Sequence, residues 1–290
     1  MRRRGICKEP EILKEENTMN LFDLSGRVAM VSGTGSGMGR AMATAFAEAG
    51  ADVVLLDIAT AHNEETAHAL AKLGRRAIPI TCDVSDVAQL DRAFATLDAE
   101  FGRIDVLGNV AGNGMQKAAE DVTMDEFAGV FQALVFGRFH ATQQAGRRML
   151  RQGKGSIINI GSISGVTSLA RQQSTYGMAM ASVIHMTKEL STEWSGRGVR
   201  VNCILPAQVL SEHNGLNERI AREPKLRETF LHGIPIGRLG QSDDIKGVAL
   251  WLASDASAWI TGAIIPMDGG NLAMNAGGGL VDAASLNLKV

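Results

Sequence analysis

The sequence predicts a single α/β domain built on a doubly wound parallel sheet of seven strands. Three observations lead there. Seven short β-rich runs alternate with longer helical patterns from Arg27 onward. Several of those runs are apolar throughout, as strands covered on both faces are, and lack the alternation of a half-exposed sheet. No linker or internal repeat breaks the pattern, although 290 residues would suit about two domains.

Each element has its own signal. The strand runs are Val28–Val31, Asp52–Leu56, Ala77–Thr81, Asp105–Val110, Ser156–Ile160, Val199–Leu205 and Ala263–Met267. Between them lie helical segments at Arg40–Ala49, Glu64–Leu73, Val87–Phe101, Met124–Leu150, Tyr176–Ser195 and Asp243–Ala253. Thr123 with Glu126 reads as a capping box, and Ser242 before Asp243 and Asp244 reads as a helix cap. The expected strand order is 3-2-1-4-5-6-7. The start, Met1-Arg2-Arg3-Arg4, looks like the basic end of a signal peptide, but Ile6 to Asn17 is rich in Lys and Glu where an apolar stretch is required. Residues 1–18 are therefore expected to be a disordered leader to a domain spanning 19–290. The glycine-rich Asn275–Gly279 is expected to pack over an edge or a neighbouring subunit.

Composition narrows the function classes. The 29 basic and 31 acidic residues nearly cancel, which gives no electrostatic footprint for nucleic acid. No stretch approaches the ~20 uninterrupted apolar residues of a membrane span. Cys7, Cys82 and Cys203 are too far apart to suggest a zinc site or a disulfide framework, and a reducing, cytoplasmic setting follows. The six histidines, His62, His68, His140, His185, His213 and His232, lack metal-ligand spacing and read as surface or packing residues.

The first strand runs directly into Ser32-Gly33-Thr34-Gly35-Ser36-Gly37-Met38-Gly39, and a helix follows. Glycines there permit a tight turn and a close approach to a pyrophosphate, which the helix N-terminus attracts through free N–H groups and its dipole. The spacing is G-x-x-x-G-x-G at Gly33, Gly37 and Gly39. Asp57 ends the second strand, where a carboxylate accepts a ribose 2′-hydroxyl and repels a 2′-phosphate; NAD is therefore favoured over NADP.

From these residues onward the chain resembles the short-chain dehydrogenase/reductase family, over roughly Leu21 to Gly270. Asp83-Val84 matches the family's adenine contact, and Asn109-Val110-Ala111-Gly112 its N-N-A-G signature with the second Asn replaced. Gly155 to Ile160 followed by Ser162 matches the fifth strand and the catalytic serine. Arg200-Val201-Asn202 with Pro206, and Thr261-Gly262 with Asp268-Gly269-Gly270, match the C-terminal landmarks. The resemblance implies a Rossmann-type fold, a secondary alcohol or carbonyl as the small-molecule substrate, and a homotetramer or homodimer. It places the cofactor on Gly33, Ser36, Gly37, Met38, Gly39, Asp57, Asp83, Val84, Asn109, Ala111, Tyr176 and Pro206.

The family's catalytic tetrad is Ser, Tyr, Lys and Asn. The resemblance assigns Ser162 and Tyr176, the only tyrosine of the chain, as catalytic. The lysine position, one helical turn after Tyr176, holds Met180, and alignment on Gly137 puts Leu134 at the asparagine position. Methionine fills the space of a lysine stem but brings neither charge nor a hydrogen-bond donor. Lys188 is three turns from Tyr176, too far to substitute. A tyrosine near its ordinary pKa of ~10 still donates a proton at neutral pH, whereas only about one in a thousand is ionised to accept one. The expectation is an NAD(H)-dependent oxidoreductase with an atypical, weakened proton relay. The alternatives are a dinucleotide-binding pseudoenzyme and a non-redox dehydratase or isomerase on the same fold.

Other features are less specific. Pro206-Ala207 stands where the family has Pro-Gly, which restricts the loop beneath the nicotinamide. Arg171, Gln172 and Gln173 fall at the expected substrate mouth, and a charged lid is expected around residues 208–235. Met115, Met178 and Met180 suggest either an adaptable apolar pocket or core filler.

Overall fold

The structure, a computed structural model, describes residues 21–212 and 215–274. The predicted leader, Cys7, His213 and the Asn275–Gly279 segment lie outside the described residues. Strands β1 (Val28–Ser32), β2 (Asp52–Asp57), β3 (Ala77–Thr81), β4 (Val106–Asn109), β5 (Gly155–Ile160) and β6 (Val199–Pro206) join the last strand, β9 (Ile264–Met267), in one sheet. A short pair, β7 (Val209–Leu210) and β8 (Gly240–Gln241), forms a second sheet. The main sheet has the order β3-β2-β1-β4-β5-β6-β9 and every pairing in it is parallel, as the alternating pattern predicts.

The uniform apolar runs have a direct cause. In β1, Ala29 and Val31 enter one core cluster, and Val28 and Met30 enter another on the opposite face. In β2, Val53 and Leu55 divide from Val54 and Leu56 in the same way. Because a strand's side chains alternate between faces, covering both faces removes any polar phase from the sequence. Helices α1 (Gly37–Glu48) and α9 (Ile245–Ala253) cover one side. Helices α3 (Val87–Phe101), α5 (Arg138–Gln152) and α6 (Ser174–Trp194) cover the other. Pro79, which lacks an N–H to donate, is confined to the edge strand β3.

Helix boundaries differ from the sequence reading in instructive places. Helix α1 begins at Gly37, because the last two glycines of the turn form the first helical turn. Helix α2 (Thr60–Ala71) also starts earlier than its apolar pattern. The single helix expected over Met124–Leu150 is three pieces: α4 (Met124–Phe131), a π-helical turn over Gln132–Gly137, and α5. Its N-terminus carries the predicted capping box, with Thr123 Oγ1 accepting from Glu126 N at 3.2 Å. Ser242 does not act as a cap. Gln241 and Asp244 form the reciprocal pair there, and the Ser242 hydroxyl donates to the Leu210 carbonyl at 3.0 Å. The segment expected as a lid contains α7 (Leu216–Arg222) and α8 (Pro224–Leu231), gathered on a small core of Phe230, Ile234 and Leu239.

Strands β2 and β4 flank β1, so the connections from β1 and β4 leave in opposite directions and open a crevice at the strands' C-terminal ends. The Ser32 hydroxyl, at the end of β1, accepts from the backbone N–H groups of Val110 (3.1 Å) and Ala111 (3.2 Å) and holds the two exits together. The π turn brings Gly137 so close to the loop after β3 that a Cβ there would overlap the Val84 carbonyl. Gly137→Ala is accordingly expected to destabilise the chain by about 1–3 kcal/mol through overpacking. Urea unfolding measures this, and an unchanged midpoint would count against the contact.

Candidate functional site

The turn leaving β1 is shaped by two glycines in left-handed conformations, Gly33 at φ +76° and Gly37 at φ +55°. A Cβ on Gly39 would overlap the Gly33 carbonyl, so α1 can start this close to the turn only with glycine there. No side chain caps α1, and the first N–H groups of the helix are left to face the crevice. At the end of β2, one Asp57 oxygen accepts from Gly35 N at 2.7 Å and the other from Ala59 N at 2.8 Å. A Cβ on Gly35 would come within 3.0 Å of that carboxyl group, so the turn and the carboxylate form one cradle.

A groove of about 590 Å³ runs from this cradle past Asp83 and Val84 to Ala111 and Gly112. The predicted Gly33, Ser36, Gly37, Met38, Gly39, Asp57, Asp83, Val84 and Ala111 all line it. Uncapped helical N–H groups at one place and a backbone-held carboxylate at another are the donor and acceptor that a dinucleotide's pyrophosphate and ribose require. The residues present therefore fit such a cofactor. Asn109, Tyr176 and Pro206 do not line this part of the groove. Asn109 is 2% exposed and its carboxamide donates to Thr142 and Asn159, both at 2.9 Å, which locks β4 to its neighbours. Pro206 closes β6, and Ala207 N donates to the Met267 carbonyl at 3.2 Å.

The catalytic candidates lie at the C-terminal end of β5. Ser162 follows that strand and caps a short 3-10 turn (Ile163–Gly165), its Oγ accepting from Ser164 N at 3.2 Å and lying 2.9 Å from Ser164 Oγ. Tyr176 sits in the first turn of α6, its ring packed so closely on the loop after β4 that a Cβ on Gly114 would overlap it. Met180, one turn further along α6, is 1% exposed, and Leu134 in the π turn is fully buried. Both belong to one cluster with Ile163, Val183, Cys203 and Leu205, against which Tyr176 packs. Met115 joins the edge of this cluster, whereas Met178 is exposed. Burial pushes the Cys203 thiol up to about 12, so it is a neutral part of the apolar wall.

Arg138 is the residue that sequence reasoning missed. It is the first residue of α5, one helical turn beyond Leu134, and only 4% of it is exposed. Its guanidinium donates to the carbonyls of Ile160, Val110 (3.2 Å) and Ala111 (3.0 Å), while its Nε finds no partner. Burial pulls the group below its ordinary value, opposed by its interactions with Tyr176 and Cys203. The signal in the sequence was a charged residue one turn after Leu134, which helical periodicity alone would assign to the surface.

The outer mouth is polar. Arg171 lies over the Phe230 ring at 4.3 Å, and burial with the nearby Arg219 lowers its pKa. Arg219 in turn donates to Gln116. The loop between them is held in unusual backbone geometry, with Ala170 at φ 50° and Gln172 at φ 54°, and the Gln172 carbonyl accepts from Lys117 N at 2.9 Å. His140 is tied to Asp91 at 2.7 Å and His185 to Glu189 at 3.1 Å. Among the described residues no cluster of His, Cys, Asp or Glu could hold a metal ion.

Comparison with known proteins agrees with this geometry. A family profile described as enoyl-(acyl carrier protein) reductase matches residues 33–271. D-threitol dehydrogenase from Mycolicibacterium smegmatis is 38% identical over 253 residues, 86% of this chain and 94% of that protein. A short-chain type dehydrogenase/reductase from Mycobacterium marinum shares the fold with a TM-score of 0.79 and 33% identity, over 87% of this chain and 97% of that one. The structure of a protein described as an NAD(P)-dependent gluconate 5-dehydrogenase from Beutenbergia cavernae, with NADP bound, matches at TM-score 0.81 and 33% identity, over 87% and 99%.

Proposed function

Because the chain belongs to the short-chain dehydrogenase/reductase family and is an oxidoreductase, we propose that it interconverts a secondary alcohol and a ketone with NAD(H), through a proton relay that lacks the family lysine and asparagine. The observation that carries this reading is that Ser162 follows β5 at the same sheet end as the dinucleotide cradle, while Tyr176 in the first turn of α6 packs on the cluster that holds the next residue, Ile163. The bound cofactor supplies or accepts the hydride. Ser162 orients the carbonyl oxygen by hydrogen bonding, and Tyr176 delivers the proton to it in reduction and takes it in oxidation. Polar groups at the mouth, Arg171, Gln116 and Arg219, suit a polyhydroxylated substrate, as does the likeness to a threitol dehydrogenase.

The preference for NAD rests on Asp57, whose carboxylate repels a 2′-phosphate, and on a groove that no lysine or arginine lines among the described residues. A cytoplasmic location suits the free, buried thiols of Cys82 and Cys203, and no described helix is long and apolar enough to cross a membrane. Phe136 and Phe139, 53% and 44% exposed around the start of α5, favour pairing of that helix with a second copy, in a homodimer or homotetramer. A second reading, a dinucleotide-binding protein without turnover, draws on the apolar packing of Met180 and Leu134.

Three measurements test these points. Tyr176→Phe is expected to lower ketone reduction by about 10²–10⁴ while NADH binding is retained. An unchanged rate would remove Tyr176 from the chemistry, and an absence of reduction across a broad ketone panel in the wild type would favour the second reading. NADH is expected to bind at least about tenfold more tightly than NADPH, with Asp57→Ser plus Ile58→Arg reversing the order; equal affinities in the wild type would refute the specificity argument. Sedimentation of the full chain is expected to give a dimer or tetramer that Phe139→Glu weakens, and a monomer would contradict the pairing.

A further inference from the structure

Two arginines meet at the mouth of the site, and among the described residues no acid pairs with either. Half-buried Arg171 lies over the Phe230 ring of α8 at 4.3 Å. That contact uses the ring face and no acceptor atom, so the N–H groups of the guanidinium remain available. Arg219, exposed on α7, donates to the Gln116 side-chain oxygen, and the Gln116 amide nitrogen lies 3.5 Å from the Arg171 carbonyl oxygen. Gln116 therefore meets both arginines. The nearby carboxylates are engaged elsewhere, Glu126 by Lys117 at 2.8 Å and Glu212 by Arg40 at 3.3 Å. Burial and the closeness of Arg219 lower the pKa of Arg171, the sign expected where cations gather without an acid.

The loops that carry this pair also border the candidate tyrosine. Met115, next to Gln116, and Leu169, two residues before Arg171, pack with Tyr176 on one buried cluster. Lys117 N donates to the Gln172 carbonyl at 2.9 Å and ties the two loops together. A Cβ on Gly114 would overlap the Tyr176 ring. On the lid side, Ile220 packs on the small core of Phe230 and so fixes α7, with Arg219, beside Arg171. We propose that Arg171 and Arg219 form an oxyanion subsite at this mouth, and that the substrate is a polyhydroxylated ketone or alcohol ending in a carboxylate or phosphate. The proposal rests on the reading that a polyhydroxylated substrate enters here. A guanidinium has only donors, whereas a neutral hydroxyl both donates and accepts. An ionised carboxylate or phosphate accepts from several donors at once and offsets the repulsion between the two cations.

Calorimetric titration of the NADH-loaded full chain tests this without requiring turnover. The probes are two neutral ketoses, L-sorbose and D-fructose, each compared with its counterparts carrying a carboxylate or a phosphate at the terminal carbon remote from the ketone. An anionic form is expected to bind about 10- to 100-fold more tightly than its neutral parent, the worth of a hydrogen-bonded charge pair. Whether the carboxylate or the phosphate gains more tells the two sources apart. Arg171→Gln and Arg219→Gln are each expected to cut that ratio, Arg171→Lys to cut it less, and the double Gln variant to bring it to about one. Circular dichroism reports folding, and Arg219→Gln, at an exposed position, carries the comparison where Arg171→Gln does not fold. Neutral ketoses binding as tightly as their anionic counterparts would overturn the proposal, as would a ratio unchanged in every folded variant or no binding by any probe. Anion-selective binding with no reduction of any ketone would sink the redox reading and keep the subsite. Reduction of neutral ketones without that selectivity would do the reverse.

Discussion

A guanidinium holds the floor of this site. Arg138 donates to Ile160, Val110 and Ala111, which join the ends of two neighbouring strands to the start of α5. Several residues of the candidate site follow those ends. Ser162 follows Ile160 by two residues, Ala111 and Gly112 border the dinucleotide groove, and Leu134 sits one turn before the arginine on the same helical run. Burying a cation without an acid costs several kcal/mol, and charge-assisted hydrogen bonds to carbonyls offset part of that cost.

The apolar substitutions make sense beside it. Met180 and Leu134 belong to a single buried cluster against which Tyr176 packs, and an ammonium at position 180 would be costly in so apolar a wall. The π turn belongs to the same solution. It widens the helix where Leu134 turns inward and lets Gly137 press on Val84, linking the chemistry end of the site to the cofactor groove.

Much of this was legible from residues alone. Uniform apolar runs revealed strands buried on both faces, and the Gly33–Gly39 turn with Asp57 revealed the cradle, because backbone geometry there demands specific residue types. Less was readable wherever tertiary packing overrides local pattern. Asn109 lies under the groove, since its carboxamide is used to tie strands together. Ser242 lost its capping role to Gln241. Arg138 escaped notice because a charge in an amphipathic helix ordinarily faces water, and only the convergence of three carbonyls turns it inward.

The central claim is that the chain carries out redox turnover through Tyr176 despite its altered tetrad. The most direct measurement follows the hydride itself. Cofactor deuterated at the transferring carbon of NADH is incubated with a ketone, and the alcohol is analysed by mass spectrometry. The account predicts one deuterium on the carbinol carbon, delivered by the wild type and lost with Tyr176→Phe while the cofactor still binds. Tight NADH binding with no label reaching any ketone, or equal transfer by wild type and Tyr176→Phe, would contradict it.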